Sequence, residues 1–143
     1  VPFSSRNPPH GDRDSDLEAL ASGPGIARGL REAGVAVDST TDLLELLRSG
    51  NPQAAEAIRQ AGRDLGEVLA TCVNILNPSV VVIGGSVARA GEYLVAGVRE
   101  VVYAQATLLD TRHLTITESR AGESGGVIGA ATMLIPYLLA PAD

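Results

Sequence analysis

Apolar positions change their period along this chain, and each change marks an element. Between Asn51 and Leu76 they recur every three to four residues: Ala54, Ile58, Ala61, Leu65, Leu69, Cys72 and Leu76 make one stripe. That is the pattern of a long amphipathic helix with its marked face buried. Asn51-Pro52 supplies its cap and its first-turn proline. After an Asn77-Pro78 turn the period gives way to an unbroken β-branched run, Val80-Val81-Val82-Ile83. Such a run predicts a strand covered on both faces, as in a parallel sheet between helix layers. Leu114 to Thr117 alternates Leu and Ile with Thr, which predicts a second strand. Val127 to Ala140 is uncharged and apolar, contains Pro136, and is too short to cross a bilayer. It predicts a buried helix from about Gly126 to Leu139.

Caps and breakers divide the rest. Val1 to Ser15 is a polar loop with three prolines and no apolar stretch of the kind a signal peptide needs. A short helix is expected over Asp16 to Ala21, broken at Ser22-Gly23. Pro24 opens the next helix, which runs to about Ala33 and closes on Gly34. Ser39-Thr40-Thr41-Asp42 reads as a capping box before Leu43–Arg48, with a stop at Gly50. A further helix is expected from about Gly91 to Ala104. The domain plan is thus a loop over 1–15, a helical part over 16–76 and a βαβα half over 77–143. The fold class is α/β, with helices packed on a partial sheet. Two strands are too few for a sheet of their own, so further strands are expected upstream, and from the start at Val1 without Met a fragment is expected.

Composition narrows the function classes. The 143 residues are 45% hydrophobic but only 3% aromatic, without Trp, so the core is built from Ala, Val, Leu and Ile. A net charge of −6 argues against a nucleic-acid surface in this part of the protein, since such a surface needs a basic stripe. All 11 basic residues are Arg, which carries no functional meaning. A single Cys rules out an internal disulfide or a cysteine zinc site and fits a reducing cytoplasm.

Few residues carry candidate chemistry. The predicted strand Val80–Ile83 runs into Gly84-Gly85-Ser86, and open α/β sheets place ligands at such carboxyl-end turns. These three residues either line a ligand or serve only a tight turn. The spacing is not that of a dinucleotide fingerprint. Gly122, Gly125 and Gly126 form a second glycine loop, read as packing. Asp12, Asp14, Asp16 and Glu18 alternate, but a calcium loop starting at Asp12 would need Gly at Leu17 and Glu at Gly23. A solvated acidic loop entering a helix fits better. Cys72 is read as inert core and His113 as a surface residue. No nucleophile elbow accompanies the scattered Ser, His and Asp, so hydrolase chemistry has no support.

Three stretches together resemble a known family. Asp16-Leu17-Glu18-Ala19-Leu20-Ala21-Ser22-Gly23-Pro24 is similar to the segment that closes the zinc motif C-x-C-G-x-x-G-C-x-E of the ROK family and continues into A-S-G. Leu76 to Gly91, with Asn77-Pro78 and Gly84-Gly85, resembles the family's glycine turn near its adenosine site. Gly129-Ala130-Ala131 matches its closing helix. ROK proteins are sugar kinases and sugar-responsive repressors built on an actin-like ATPase (RNase H-like) fold, so the resemblance implies the C-terminal part of that fold. It further implies that Glu18 holds sugar hydroxyls, which suits an acceptor-only carboxylate. On residues alone, a first-turn acid favoured by the helix dipole is the better reading of Glu18, and it is the flanking match that puts sugar contact ahead. Gly84, Gly85 and Ser86 would line adenosine if the protein is a kinase.

The departures matter as much. Pro9, Gly11 and Asp16 stand where the family has zinc cysteines, and His10 alone cannot restore a site that wants four ligands. Zinc is therefore not expected, and the loop that it braces in the family, which presents a sugar-contacting histidine, must be held by packing. The family's phosphate loop and catalytic aspartate fall before Val1, so no catalytic residue is assigned in this chain. Two functions are weighed: the sugar-sensing part of a transcriptional regulator, with its DNA-binding domain upstream, and the C-terminal part of a kinase using Mg-ATP. A degenerate scaffold is a third. The regulator is preferred, because a binding module needs only occupancy to shift an equilibrium. Val98 to Tyr103 and Arg112-His113-Leu114 also look more like the family's regulators. A sugar or sugar phosphate, a homodimer and no membrane are the expected partners.

Overall fold

The computed structural model describes residues 16–105 and 113–138. Among these residues six helices and two strands follow one another: α1 (Leu17–Ala21), α2 (Gly23–Glu32), α3 (Thr40–Arg48), α4 (Pro52–Leu76), β1 (Val80–Ile83), α5 (Glu92–Gln105), β2 (Thr115–Glu118) and α6 (Gly125–Leu138). Short 3-10 turns over Val87–Ala90 and Gly122–Ser124 precede α5 and α6.

The caps are those read from the sequence. Asn51 accepts from the Gln53 and Ala54 amides at 2.9 and 3.0 Å, with Pro52 as the first residue of α4. Ser39 and Asp42 form a complete capping box, the Ser39 hydroxyl accepting from Asp42 N and the Asp42 carboxylate from Ser39 N. Gly34 and Gly50 close α2 and α3 at φ +86° and +80°. Asn77, at φ 45°, turns the chain out of α4.

β1 and β2 pair in parallel with Val80 opposite Thr115 and Ile83 opposite Glu118. Sheet, α5 and α4 stack in that order. Arg99 on α5 donates to the Ile116 carbonyl at 2.8 Å, and the Tyr103 hydroxyl to the Leu114 carbonyl at 3.3 Å, so α5 is tied to β2 by side chains as well as by packing. α4 and α5 make the most extensive helix pair among the described residues. Cβ atoms built on Gly62 and Gly97 would overlap the opposing backbone, so only glycine permits this approach. Glu100 accepts from both Arg59 and Arg63 across the same seam.

Three expectations about burial are corrected. First, the stripe on α4 is not straight. Ala54, Ile58 and Ala61 are buried, but beyond them the inner face is Gly62, Gly66, Ala70 and Val73. Leu65 and Leu69 flank it half-buried, while Cys72 is exposed and Leu76 is 73% exposed. The physical reason is α5: a backbone-to-backbone approach selects the small residues and turns the larger ones aside. Second, β1 is covered on one face. Val81 and Ile83 face the core, but Val80 and Val82 are 52% and 58% exposed, because α5 lies on one side and no described element covers the other. Third, α6 is not buried. Val127 and Met133 are each 74% exposed, and α6 packs chiefly on the 3-10 turn before it. The second strand also ends one residue later than expected, at Glu118.

Candidate functional site

Glu18 sits in the first turn of α1, exposed, with Asp16 as the cap. The Asp16 Oδ1 accepts from Ala19 N at 2.9 Å, which commits this carboxylate to holding the helix. Pro9, His10, Gly11, Asp12 and Asp14 lie outside the described residues. α1 packs on α2 and α4, and the joint with α2 is tight. Ser22 ends α1, its amide donating to the Glu18 carbonyl at 3.0 Å, and its hydroxyl caps α2 by accepting from Gly25 N at 3.1 Å.

Gly84, Gly85 and Ser86 leave β1 at its carboxyl end. Gly85 has φ +99°, a conformation that L side chains rarely adopt, and a Cβ there would meet open space. The turn thus requires the glycine, whatever else it does. Val87, Ala88 and Ala90 anchor the following 3-10 turn in the core, and Gly91 at φ +59° releases it into α5. The Arg89 Nε donates to the Ser86 carbonyl at 3.5 Å.

The sheet brings two further residues to this edge that the sequence reading did not single out. Ser119 donates its amide to the Ile83 carbonyl at 2.8 Å, and its Cβ lies 3.9 Å from where a Gly84 Cβ would be. Glu118 approaches Gly91, its Oε2 lying 3.6 Å from a Cβ built there. Their signal was the end of the alternating run, but only parallel pairing puts the two strand ends side by side. The structure therefore holds Glu18 and the Gly84–Ser86 turn on different elements, joined through α4 and α5. A shallow depression of about 300 Å³ beside Tyr93 and the α3–α4 turn contains none of these residues. His113 is exposed, as expected.

Comparison with known proteins decides the family: the ROK family model matches residues 11–136. The chain belongs to the ROK family. Among curated ROK relatives, the glucokinase of Thermotoga maritima is 32% identical over 137 residues, covering 82% of this chain and 42% of the enzyme. A transcriptional regulator of Mycobacterium tuberculosis is 45% identical over 62 residues, covering 43% of this chain and 14% of the regulator. The solved ROK structures include a transcriptional regulator, a homolog of the Escherichia coli MLC protein, at TM-score 0.72 and 27% identity over 87% of this chain and 35% of that one. A ROK glucokinase from Streptomyces griseus, solved with glucose and AMPPNP, superposes at TM-score 0.66 and 25% identity over 82% of this chain and 43% of the enzyme. The fold is thus the actin-like ATPase fold of ROK kinases and regulators. This chain spans less than half the length of these relatives. No helix among the described residues is long and apolar enough to cross a membrane.

Proposed function

We propose that this chain is the sugar-sensing C-terminal region of a ROK transcriptional regulator, in which Glu18 accepts hydrogen bonds from sugar hydroxyls. The observation that carries the regulator reading is the 45% identity to a mycobacterial regulator, against 32% to the glucokinase. Exposure of Glu18 on a capped helix leaves its carboxylate open to a ligand. Part of the same proposal is that the region works without zinc. Neither Pro9 nor Gly11 has a ligating side chain, and Asp16 is engaged in capping, so the residues present do not fit a structural zinc site. The proposal includes a homodimer in the cytoplasm, with DNA bound by a domain outside this chain.

One observation favours a second reading. The glucokinase match runs over 82% of this chain, much further than the regulator match. As part of a kinase, the Gly84–Ser86 turn would face the adenosine of Mg-ATP, which supplies the phosphoryl group. The open space at Gly85 is compatible with that.

The test is calorimetric titration of the full-length polypeptide with D-glucose, D-xylose and N-acetylmannosamine, with and without Mg-ATP, followed by assay for phosphosugar. Binding without turnover is the expected result, and turnover transfers the protein to the kinases. Glu18→Ala should weaken sugar binding by about 1–3 kcal/mol, the range of a hydrogen bond to a charged group. Unchanged affinity would remove Glu18 from the site.

A further inference from the structure

Gly25 stands in the first turn of α2, at a helical position where glycine is disfavoured relative to alanine. Its φ is not in the left-handed region, so conformation does not demand it. Contact does. A Cβ on Gly25 would overlap the carbonyl oxygen of Ala19, lie 2.7 Å from the carbonyl carbon and 3.1 Å from the carbonyl oxygen of Glu18. The backbone of α1 at Glu18 and Ala19 therefore rests directly on the first turn of α2.

The two sides of this contact are not equally firm. α2 buries Ile26, Ala27 and Leu30 in the core, whereas α1 has no buried residue. A methyl group at position 25 would be accommodated by α1 yielding, and Glu18 would move with it. We propose that Gly25 is a positioning residue for ligand recognition: by admitting the Ala19 carbonyl it sets where the Glu18 carboxylate stands toward a polyhydroxylated ligand. This rests on the reading of Glu18 as a sugar contact.

A double-mutant cycle on the full-length polypeptide tests it, with D-glucose, D-xylose and N-acetylmannosamine as probes. Gly25→Ala should weaken binding of the recognised sugar at least tenfold in the wild-type background and less than twofold in Glu18→Ala. A merely structural glycine would give the same loss in both backgrounds. Equal losses, or none in either, overturn the positioning role alone. Silence of Glu18→Ala overturns the contact reading and this proposal with it. Amide exchange without ligand gives an independent readout. Residues 17–22 should exchange at least tenfold faster in Gly25→Ala while α4 is unchanged, and unchanged exchange at 17–22 overturns the proposal even if no probe binds. Should Gly25→Ala fail to fold, Ser22→Ala loosens the same joint by removing the α2 cap. It should give the same background-dependent loss at about two- to fivefold, and equal loss in both backgrounds again counts against the positioning role.

Discussion

Gly62 and Gly97 stand back to back where α4 crosses α5: a Cβ on Gly62 would come within 3.1 Å of the Gly97 Cα, and a Cβ on Gly97 within 3.0 Å of the Gly62 Cα. Each would also overlap a backbone carbonyl oxygen, that of Leu94 or of Arg59. Backbone atoms cannot rotate out of the way as a side chain tip can, so the helices would have to separate and loosen the packing of Ile58, Val98 and Val102 between them.

Gly97→Ala is accordingly expected to destabilise the fold by about 1–3 kcal/mol, even after the propensity gain of about 1 kcal/mol that alanine brings to a helix. Gly29→Ala is the matched control. Gly29 lies inside α2, exposed, and nothing approaches a Cβ built there. This substitution should stabilise by about 0.4–1 kcal/mol. Urea unfolding with an unchanged slope checks both, and equal effects at the two positions would contradict the close-approach account.

The charged seam beside the glycines makes stability depend on pH. Arg59, and then Arg63, hold the Glu100 carboxyl below its ordinary range, and the Asp38 amide, followed by Ser39, does the same for Asp42. A lowered folded pKa means that the stabilisation is complete above the unfolded value and is lost as pH falls through the folded one. The acid limb of the stability profile should therefore begin at about pH 4.5 for Glu100 and about 3.8 for Asp42. Glu100→Gln should lower stability at pH 7 and flatten the upper part of that limb. Because these groups are exposed, 1 M salt should shrink the Glu100 effect. Asp42 is held mainly by amide hydrogen bonds and should respond less. Denaturant midpoints between pH 7 and 3, at two salt concentrations, read out each of these.

Cys72 points out of α4 instead of into it. In native buffer it should react with Ellman's reagent to one equivalent, within a few-fold of the rate in urea, since an exposed thiol has no opening step to wait for. A rate that rises by orders of magnitude on unfolding would place Cys72 in the core.

What the sequence determined by itself was local: where α1 to α4 begin and stop, because Asp16, Ser22, Ser39 and Asn51 satisfy helix-end amides within a few residues, and because Gly34 and Gly50 supply left-handed stops. It also carried the family, through residues at matching spacings. Tertiary structure decided which faces are inside. The apolar stripe Leu65, Leu69, Cys72, Leu76 lost to Gly62, Gly66, Ala70 and Val73, since hydrophobic periodicity gives no weight to a glycine, while the backbone of α5 comes up against α4 at Gly62 and Gly66. The all-apolar runs of β1 and α6 fared likewise: apolarity records a surface suited to burial, but what covers it is set by other elements of the fold. The same holds for the candidate site. Glu18 and Gly84–Ser86 were legible as motifs, whereas Ser119 and Glu118 reached the sheet edge only by strand pairing, and the contact of Gly25 with α1 exists only once two helices meet.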